Sequence, residues 1–265
     1  MSEQNAEYGR VVSWYSHGAA SAVTTKMALA KYGPEVVIAC IDTRSEHEDN
    51  ARFRAACKEW FQHEITVLGS TEYEDIYDVF DKTGYLVGPA GARCTTELKK
   101  KVRWAFQRPD DLQVFGYTAD RRDAKRATKF NEQNPEIHTW FPLVERSLTK
   151  SDCLTLVDRA GLVLPEMYRL GYTNNNCIGC VKGGMGYWNK IRKDFPEIFE
   201  KMAQQERKMG RTVLRSNGQP VYLDTLDPDR GSYEAEQMGS CDLDCQITEA
   251  EWVALDISTK EESAA

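Results

Sequence analysis

The sequence lacks any run of about 18 apolar residues, the length that a membrane-spanning helix requires. Residues 1–7 lack the basic segment followed by an apolar stretch that is typical of a secretory signal. Internal repeats and low-complexity segments are also missing. Because none of these features indicates export or insertion into a bilayer, we expect a cytoplasmic protein with no membrane partner.

An excess of positive charge is missing as well. The chain has 34 Lys and Arg against 41 Asp and Glu, which gives a net charge of -7. This balance excludes a protein that wraps a bare nucleic-acid backbone with its whole surface. A nucleic acid is therefore expected only as a substrate that is modified. With 265 residues, the chain can bury a large apolar core without disulfides.

Cysteine is well represented, with eight residues. In a reducing compartment, clustered cysteines indicate metal binding or redox chemistry rather than disulfides. Five of them fall in a pattern that packing does not require: Cys94, Cys177, Cys180, Cys241 and Cys245. The Cys-x-x-Cys pair lies in a glycine-bearing turn, residues 174–184, which can aim backbone N–H groups at a charged sulfur cluster. The other three, predicted to be small buried hydrophobes, are Cys40, Cys57 and Cys153.

Buried apolar runs alternate with amphipathic stretches, which is typical of a parallel sheet with helices between its strands. The predicted strands are residues 10–16, 35–42, 64–68, 112–117 and 137–143. The first predicted helix follows the turn after the first strand and runs to about residue 31. Further helices are predicted over 46–62, parts of 73–106, 149–160 and 188–209. We predict an α/β fold with a doubly wound, mainly parallel five-stranded sheet. A first domain, 1–165, is followed by a helical, cysteine-bearing extension, 166–265, packed on it.

A turn of small and hydroxyl-bearing residues joins the first strand to the first helix. Its residues are Ser16, His17, Gly18, Ala19, Ala20 and Ser21. Such a turn is common in α/β proteins, and it places backbone N–H groups and the positive end of a helix beside any bound phosphate. Asp42 ends the next strand, where an acid can hold a ribose or adenine group. We predict a nucleotide site here, with His17 as a further phosphate donor.

Basic residues follow the fourth strand at the same edge of the sheet. Arg121 and Arg122 lie in a charged segment, residues 120–126, which is predicted as a loop. Guanidinium groups bind phosphate or sulfate oxygens through two hydrogen bonds, and the alternative is a solvated segment balanced by its own acids. Residues 99–101, three consecutive lysines, are predicted to form a solvated helix face.

The order of several short motifs resembles that of the PP-loop ATP pyrophosphatases, and among them the phosphoadenosine phosphosulfate reductase family. Residues 16–21 are similar to its Ser-Gly-Gly-x-Asp-Ser loop, and residues 41–43 to its Asp-Thr-Gly element. Further similar segments are residues 93–99, 116–120, 141–143, 149–152 and 176–180. Ala19, Ala20 and Arg44 replace a Gly, the Asp and a Gly of those motifs. The whole resembles members found in bacteriophage and mobile-element genomes.

This resemblance implies an adenine nucleotide alpha hydrolase-like fold and an adenine-nucleotide-dependent sulfur enzyme. In a reductase form, a thiolate of Cys241 or Cys245 attacks the sulfur of adenylyl sulfate or its 3′-phosphate, and a thioredoxin-like donor releases sulfite. In a transferase form, ATP activates an oxygen of a nucleic-acid base or small molecule, and sulfur replaces it. The lost Asp at Ala20 counts against that form. A third alternative is a non-catalytic module that binds a nucleotide or a host protein.

The cysteine pattern predicts three metal ligands: Cys94, Cys177 and Cys180. The fourth position is Cys241, Cys245 or open. Zinc is compatible with the same four thiolates, and the resemblance favours a 4Fe–4S cluster. For the two tail cysteines, an ordinary flexible segment is the alternative to a mobile nucleophile.

Overall fold

The computed structural model describes residues 8–88 and 91–236. The strands in these ranges are β1 Arg10–Tyr15, β2 Val37–Ile41, β3 Ile65–Leu68, β4 Val87–Gly88, β5 Gly91–Ala92, β6 Asp111–Val114, β7 His138–Trp140, β8 Leu214–Ser216 and β9 Gln219–Val221. The helices are α1 Ala19–Tyr32, α2 Asn50–Phe61, α3 Ile76–Thr83, α4 Arg93–Thr95, α5 Lys101–Phe106, α6 Arg121–Gln133, α7 Pro142–Glu145, α8 Lys150–Arg159, α9 Glu166–Arg169, α10 Met185–Asp194 and α11 Pro196–Met209. A π-helical segment, Thr96–Lys100, precedes α5.

Five strands form one parallel sheet in the order β3-β2-β1-β6-β7. The chain adds β2 and β3 on one side of β1, and then adds β6 and β7 on its other side. Because parallel crossovers are right-handed, this reversal places the connecting helices on opposite faces of the sheet. The predicted doubly wound, parallel α/β fold is therefore confirmed.

The central strands are buried because both faces of the sheet are covered by helices. In β1, five of the six residues are buried, and Val12 pairs with Val37 of β2 while Ser13 pairs with Val114 of β6. A continuous apolar core joins β1, β2 and β6 to α1, α2 and α8. Such continuous apolar runs, rather than alternating ones, are typical of parallel sheets covered on both sides.

Local capping residues set several helix boundaries. Thr149 accepts a hydrogen bond from the Asp152 backbone, and the Asp152 carboxylate accepts one from the Thr149 backbone, which together start α8. Gly210 ends α11 in a left-handed conformation, with φ of 62°. No helix among the described residues is long and apolar enough to cross a membrane.

Two helix predictions were wrong in detail. The charged segment 120–126, predicted as a loop, forms the first turns of α6, which buries Ala127 and Phe130 farther along. The single helix predicted over 188–209 is two helices, α10 and α11, separated at Phe195 (φ -139°, ψ 65°). Pro196 explains this break, because proline disfavours a helical residue before it and is well suited to the first position of a new helix.

The chain divides into two compact units. The first contains the residues up to Glu72 together with Leu98–Cys177, and it includes the whole parallel sheet. Among the described residues, the second contains those of Tyr73–Glu97 and those from Ile178 onward, and α10, α11 and the β8–β9 hairpin belong to it. The boundary predicted at residue 165 stays a prediction; the division into units keeps α9 with the sheet.

Candidate functional site

The turn between β1 and α1 lies where the strand order reverses, between the ends of β1 and β6. Ser21 closes this turn: its hydroxyl donates to the Gly18 carbonyl at 2.9 Å and accepts from the Ser16 backbone at 3.0 Å. Ser16 remains exposed. The first N–H groups of any helix have no partner within that helix. The turn therefore places the positive end of α1 at the sheet edge where ligands of doubly wound folds bind.

Close backbone packing holds the turn against β6. A Cβ atom on Gly116 would lie 2.9 Å from Ser21 Cα and 3.0 Å from Ser21 N. Real Cβ atoms do not approach a backbone so closely, so only glycine permits this approach. Residues 116–120 were one of the segments that resemble the PP-loop family. The glycine that begins this segment, Gly116, is thus required sterically by the turn itself.

Two residues that the sequence analysis did not single out lie beside the turn. A Cβ on Gly18 would be 3.3 Å from the Tyr168 hydroxyl, which places that hydroxyl above the turn. Lys150 Nζ lies 5.9 Å from the centre of the Tyr168 ring and donates to Asn174 Oδ1. The similarity at residues 149–152 was the only sequence signal for this lysine.

Asp42 and the residues that follow it lie at the same edge, beyond the end of β2. One Asp42 carboxylate oxygen accepts a hydrogen bond from the Arg44 backbone at 2.8 Å, and Arg44 Nη2 donates to the Ser70 carbonyl. Thr43 is buried, and its hydroxyl lies 3.2 Å from Cys177 Sγ. A thiol of the Cys-x-x-Cys pair is therefore next to the segment predicted to hold the nucleoside.

The side chain of His17 lies in a buried network below the turn, with only 2% of the residue exposed. Its Nδ1 is 2.9 Å from Glu46 Oε2, and its Nε2 is 3.2 Å from Cys40 Sγ. Because both ring nitrogens have these partners, any contact of His17 with an anion would come from its backbone. The backbone of His17 is left-handed, with φ of 56°, which costs a non-glycine residue roughly 1–2 kcal/mol.

Glu46 connects this network to three other segments. Its Oε2 accepts from Asn50 Nδ2 at 2.9 Å, and its Oε1 lies 3.7 Å from Lys99 Nζ. Asn175 donates to Asn50 and to the His17 carbonyl, at 2.7 and 2.8 Å. Burial raises the pKa of the Glu46 carboxyl, but the hydrogen bond from His17 and the charge of Lys99 outweigh it and lower that pKa.

Two of the three lysines predicted to form a solvated face are buried instead. Lys99 and Lys100 are 8% and 6% exposed, whereas Lys101 is exposed. The prediction was wrong because a run of like charges resembles a solvated face when its partners are not local in sequence. For Lys99 the acidic partner is 53 residues earlier, in Glu46.

The predicted basic residues begin α6. Arg121 and Arg122 are its first two residues, and both are exposed. The loop before them is fixed by Thr118, whose hydroxyl lies 2.8 Å from Asp120 Oδ2, and by the Lys150 backbone, which donates to the same carboxylate. The two arginines thus start from a well-fixed position, and their binding to a nucleotide stays a prediction.

The predicted metal ligands lie in different local settings. Cys177 and Cys180 are buried, and Cys94 is partly buried in α4. Within residues 8–88 and 91–236, no three His, Cys, Asp or Glu side chains are arranged to hold a metal ion. The described thiols alone do not fit a cluster. The tail residues Cys241 and Cys245, predicted as nucleophile and fourth ligand, lie outside the described residues.

The comparisons with known proteins add one relative. No family model matches the chain. A protein of Escherichia phage 186, described as an uncharacterized 37.8 kDa protein in the gpa 5′ region, is 25% identical over 154 residues. The match covers 54% of this chain and 45% of the phage protein, so it spans less than half the length of that relative. The chain is thus similar to a phage protein.

Proposed function

We propose that this protein is an adenine-nucleotide-dependent sulfur enzyme of the phosphoadenosine phosphosulfate reductase type, from a phage or mobile element. The reaction would be reduction of a sulfonucleotide, adenylyl sulfate or its 3′-phosphate, to sulfite. The observation that carries the proposal is the 3.2 Å contact between Cys177 Sγ and Thr43. It supports a thiol-bearing segment at the sheet edge where a nucleotide would bind, and the attacking thiol itself is assigned to Cys241 or Cys245.

The nucleotide part of the proposal is supported by the turn between β1 and α1. The turn is at the topological switch point, it begins a helix of 14 residues, and Gly116 brings β6 against it. A phosphate chain would accept hydrogen bonds from the backbone of residues 18–21 and interact favourably with the helix dipole. Lys150 and Tyr168, beside the turn, would add a charge and a hydroxyl.

The sulfur part of the proposal is a two-step exchange. A thiolate of Cys241 or Cys245 would attack the sulfur of the sulfonucleotide, forming a cysteine S-sulfonate and releasing the nucleoside phosphate. A thiol of a thioredoxin-like donor would then attack the cysteine sulfur; sulfite leaves, and the two thiols end as a disulfide. A 4Fe–4S cluster, which the described thiols do not complete, takes no part in these steps.

Binding calorimetry on the full chain tests the nucleotide site. We expect adenylyl sulfate and ATP to bind the wild type, and Gly18→Ala to weaken binding about tenfold, or about 1.4 kcal/mol. Glu197→Gln, a substitution at an exposed position of α11 outside the predicted nucleotide site, is the control. Failure of the wild type to bind either nucleotide would reject the proposal.

Sulfite release tests the chemistry separately. With a dithiol reductant, we expect sulfite from one of the two sulfonucleotides and its loss in Cys241→Ser or Cys245→Ser. Nucleotide binding without sulfite release would favour the non-catalytic binding module. Pyrophosphate formed from ATP only in the presence of an acceptor would favour sulfur transfer.

A further inference from the structure

Three side chains below the turn are ordered as nucleophile, base and orienting acid. Cys40 lies near the end of β2, and its Sγ is 3.2 Å from His17 Nε2. The opposite ring nitrogen of His17 is 2.9 Å from Glu46 Oε2. Covalent catalysis typically uses a nucleophile within hydrogen-bond reach of a base, and a third group that orients the base. None of the three is needed for the sulfonucleotide chemistry proposed above.

The charges around this cluster favour a protonated imidazole. Burial lowers the pKa of His17, but the hydrogen bonds to Cys40 and Glu46 outweigh burial and raise it to about 10. Side chains from two other elements lie against this cluster. Lys99, of the π-helical segment, lies 3.7 Å from Glu46, and the ring of Tyr15, of β1, packs edge-on against the His17 ring. Beyond Tyr15 lies the Cys57 thiol. An imidazolium hydrogen-bonded to a thiol stabilises its thiolate, the nucleophilic form.

Two other cysteines of the same unit provide a contrast. Cys57 and Cys153 are as completely buried as Cys40, with 0% exposed. Burial raises the pKa of each of these thiols to about 12. Burial alone therefore makes a thiol of this core inert, and Cys40 differs from both in its contact with His17.

We propose that Cys40 is a nucleophilic cysteine, activated by His17 and positioned with Glu46, whose substrates are small molecules that carry an electrophilic sulfur atom. The thiolate attacks this sulfur, a new S–S bond forms on Cys40, and the bond to the leaving group breaks. The leaving group departs with the bonding electron pair, so the displacement requires no further oxidant. Attack on a carbonyl would additionally require donors for an oxyanion.

The burial of Cys40 restricts the size of this substrate. Cys40 has 0% exposed surface, whereas in the turn that carries its partner His17, Ser16 is exposed and Gly18 is partly exposed. A small compound can reach the Cys40 thiol through a local opening of the turn, whereas a protein disulfide cannot. This activity goes beyond the proposed reductase, because it uses neither the nucleotide nor the tail cysteines.

Reaction with methyl methanethiosulfonate tests the proposal on the full chain. The reaction converts Cys40 to a methyl disulfide and releases methanesulfinate, and quenched samples are mapped by peptide mass spectrometry. At pH 6 we expect Cys40 to react at least about tenfold faster than Cys57 and Cys153, since an ordinary thiol is largely protonated there. Equal rates for the three would mean that general unfolding exposes them, and would overturn the proposal.

The pH profile supplies the second readout. We expect the wild-type Cys40 rate to vary little between pH 6 and 8, and His17→Gln to restore the rise of an ordinary thiol, about tenfold per pH unit below about 8.5. Glu46→Gln should shift the profile in the same direction, and Cys57→Ala should leave it unchanged. If His17→Gln does not fold, the wild type decides: a tenfold rise per unit up to pH 8, or no reaction of Cys40, overturns the proposal.

Discussion

Gly116 shows how one missing side chain can determine the geometry of a binding turn. A Cβ at this position would lie within 3.0 Å of two Ser21 backbone atoms, which cannot move without distorting the start of α1. We predict that Gly116→Ala costs about 1–3 kcal/mol of stability, in the range of overpacked sites, and weakens nucleotide binding. Thermal unfolding and calorimetry measure the two effects.

Gly69→Ala is the stability control for this substitution. Its Cβ would lie 3.5 Å from an Arg44 side-chain nitrogen and 3.6 Å from the Asp42 carbonyl, which are ordinary contacts. We expect its unfolding temperature to match that of the wild type. Equal stability of the Gly116 and Gly69 variants would show that the turn can move away from β6.

The cluster of Cys40, His17 and Glu46 could not be predicted from the sequence. Cys40 lies in an apolar strand, where a small buried hydrophobe is the usual interpretation, and that prediction of its burial is confirmed. The sequence does not indicate that His17 turns inward or that Glu46 meets it from the next loop. The turn that carries His17 was predicted, because a strand followed by small residues and a helix is a local pattern.

At the scale of elements, α11 is joined to the segments after it by one buried carboxylate. Glu206 accepts hydrogen bonds from the Val213 and Leu223 backbones, both at 2.7 Å, and has 0% exposed surface. Burial raises the pKa of this carboxyl from 4.5 to about 7, against the lowering effect of the two N–H donors. The folded protein therefore holds this proton up to a higher pH than the unfolded chain does.

The sign of the resulting pH dependence follows from linkage. Between pH 4.5 and 7 the folded state binds the extra proton, so stability falls as the pH rises, by at most about 3 kcal/mol. We predict that Glu206→Gln removes this part of the slope. Urea unfolding of the wild type and of Glu206→Gln at a series of pH values measures this slope of the unfolding free energy. Glu197→Gln, an exposed position on α11, should keep the wild-type slope, and a slope unchanged in Glu206→Gln would contradict the prediction.

Strands were easier to predict than helices in this chain. The central strands β1 and β2 are apolar runs that are buried almost throughout, so their positions follow from composition, whereas β3 and β7 at the sheet edges are partly exposed. In α6, the first turns carry only charged side chains and Ala124, and burial begins at Ala127. No apolar periodicity marks that start. The division between α10 and α11 was signalled by Pro196 alone, inside an otherwise regular amphipathic pattern.

At the scale of the whole molecule, strand order determines where the candidate site can be. Because the chain starts in the middle of its sheet and builds outward in both directions, the ends of β1 and β6 diverge into helices on opposite faces. The turn after β1 is therefore at a crevice that any such fold offers to a ligand. This part of the site could be predicted from sequence, since it depends only on alternating strands and helices.

The identity of a bound metal is a property of the complete chain, because the two candidates for the fourth ligand, Cys241 and Cys245, lie outside the described residues. We predict that anaerobic purification yields a brown protein with about four irons and four sulfides per chain. Cys177→Ser and Cys180→Ser should lose both, and Cys153→Ser, a buried thiol outside the pattern, should keep them. Metal and sulfide analysis with an absorption spectrum provides the measurement. If zinc is found without iron, the same thiolates form a structural zinc site instead of a cluster. A metal content that is unchanged in all three variants would show that the Cys-x-x-Cys pair holds no metal.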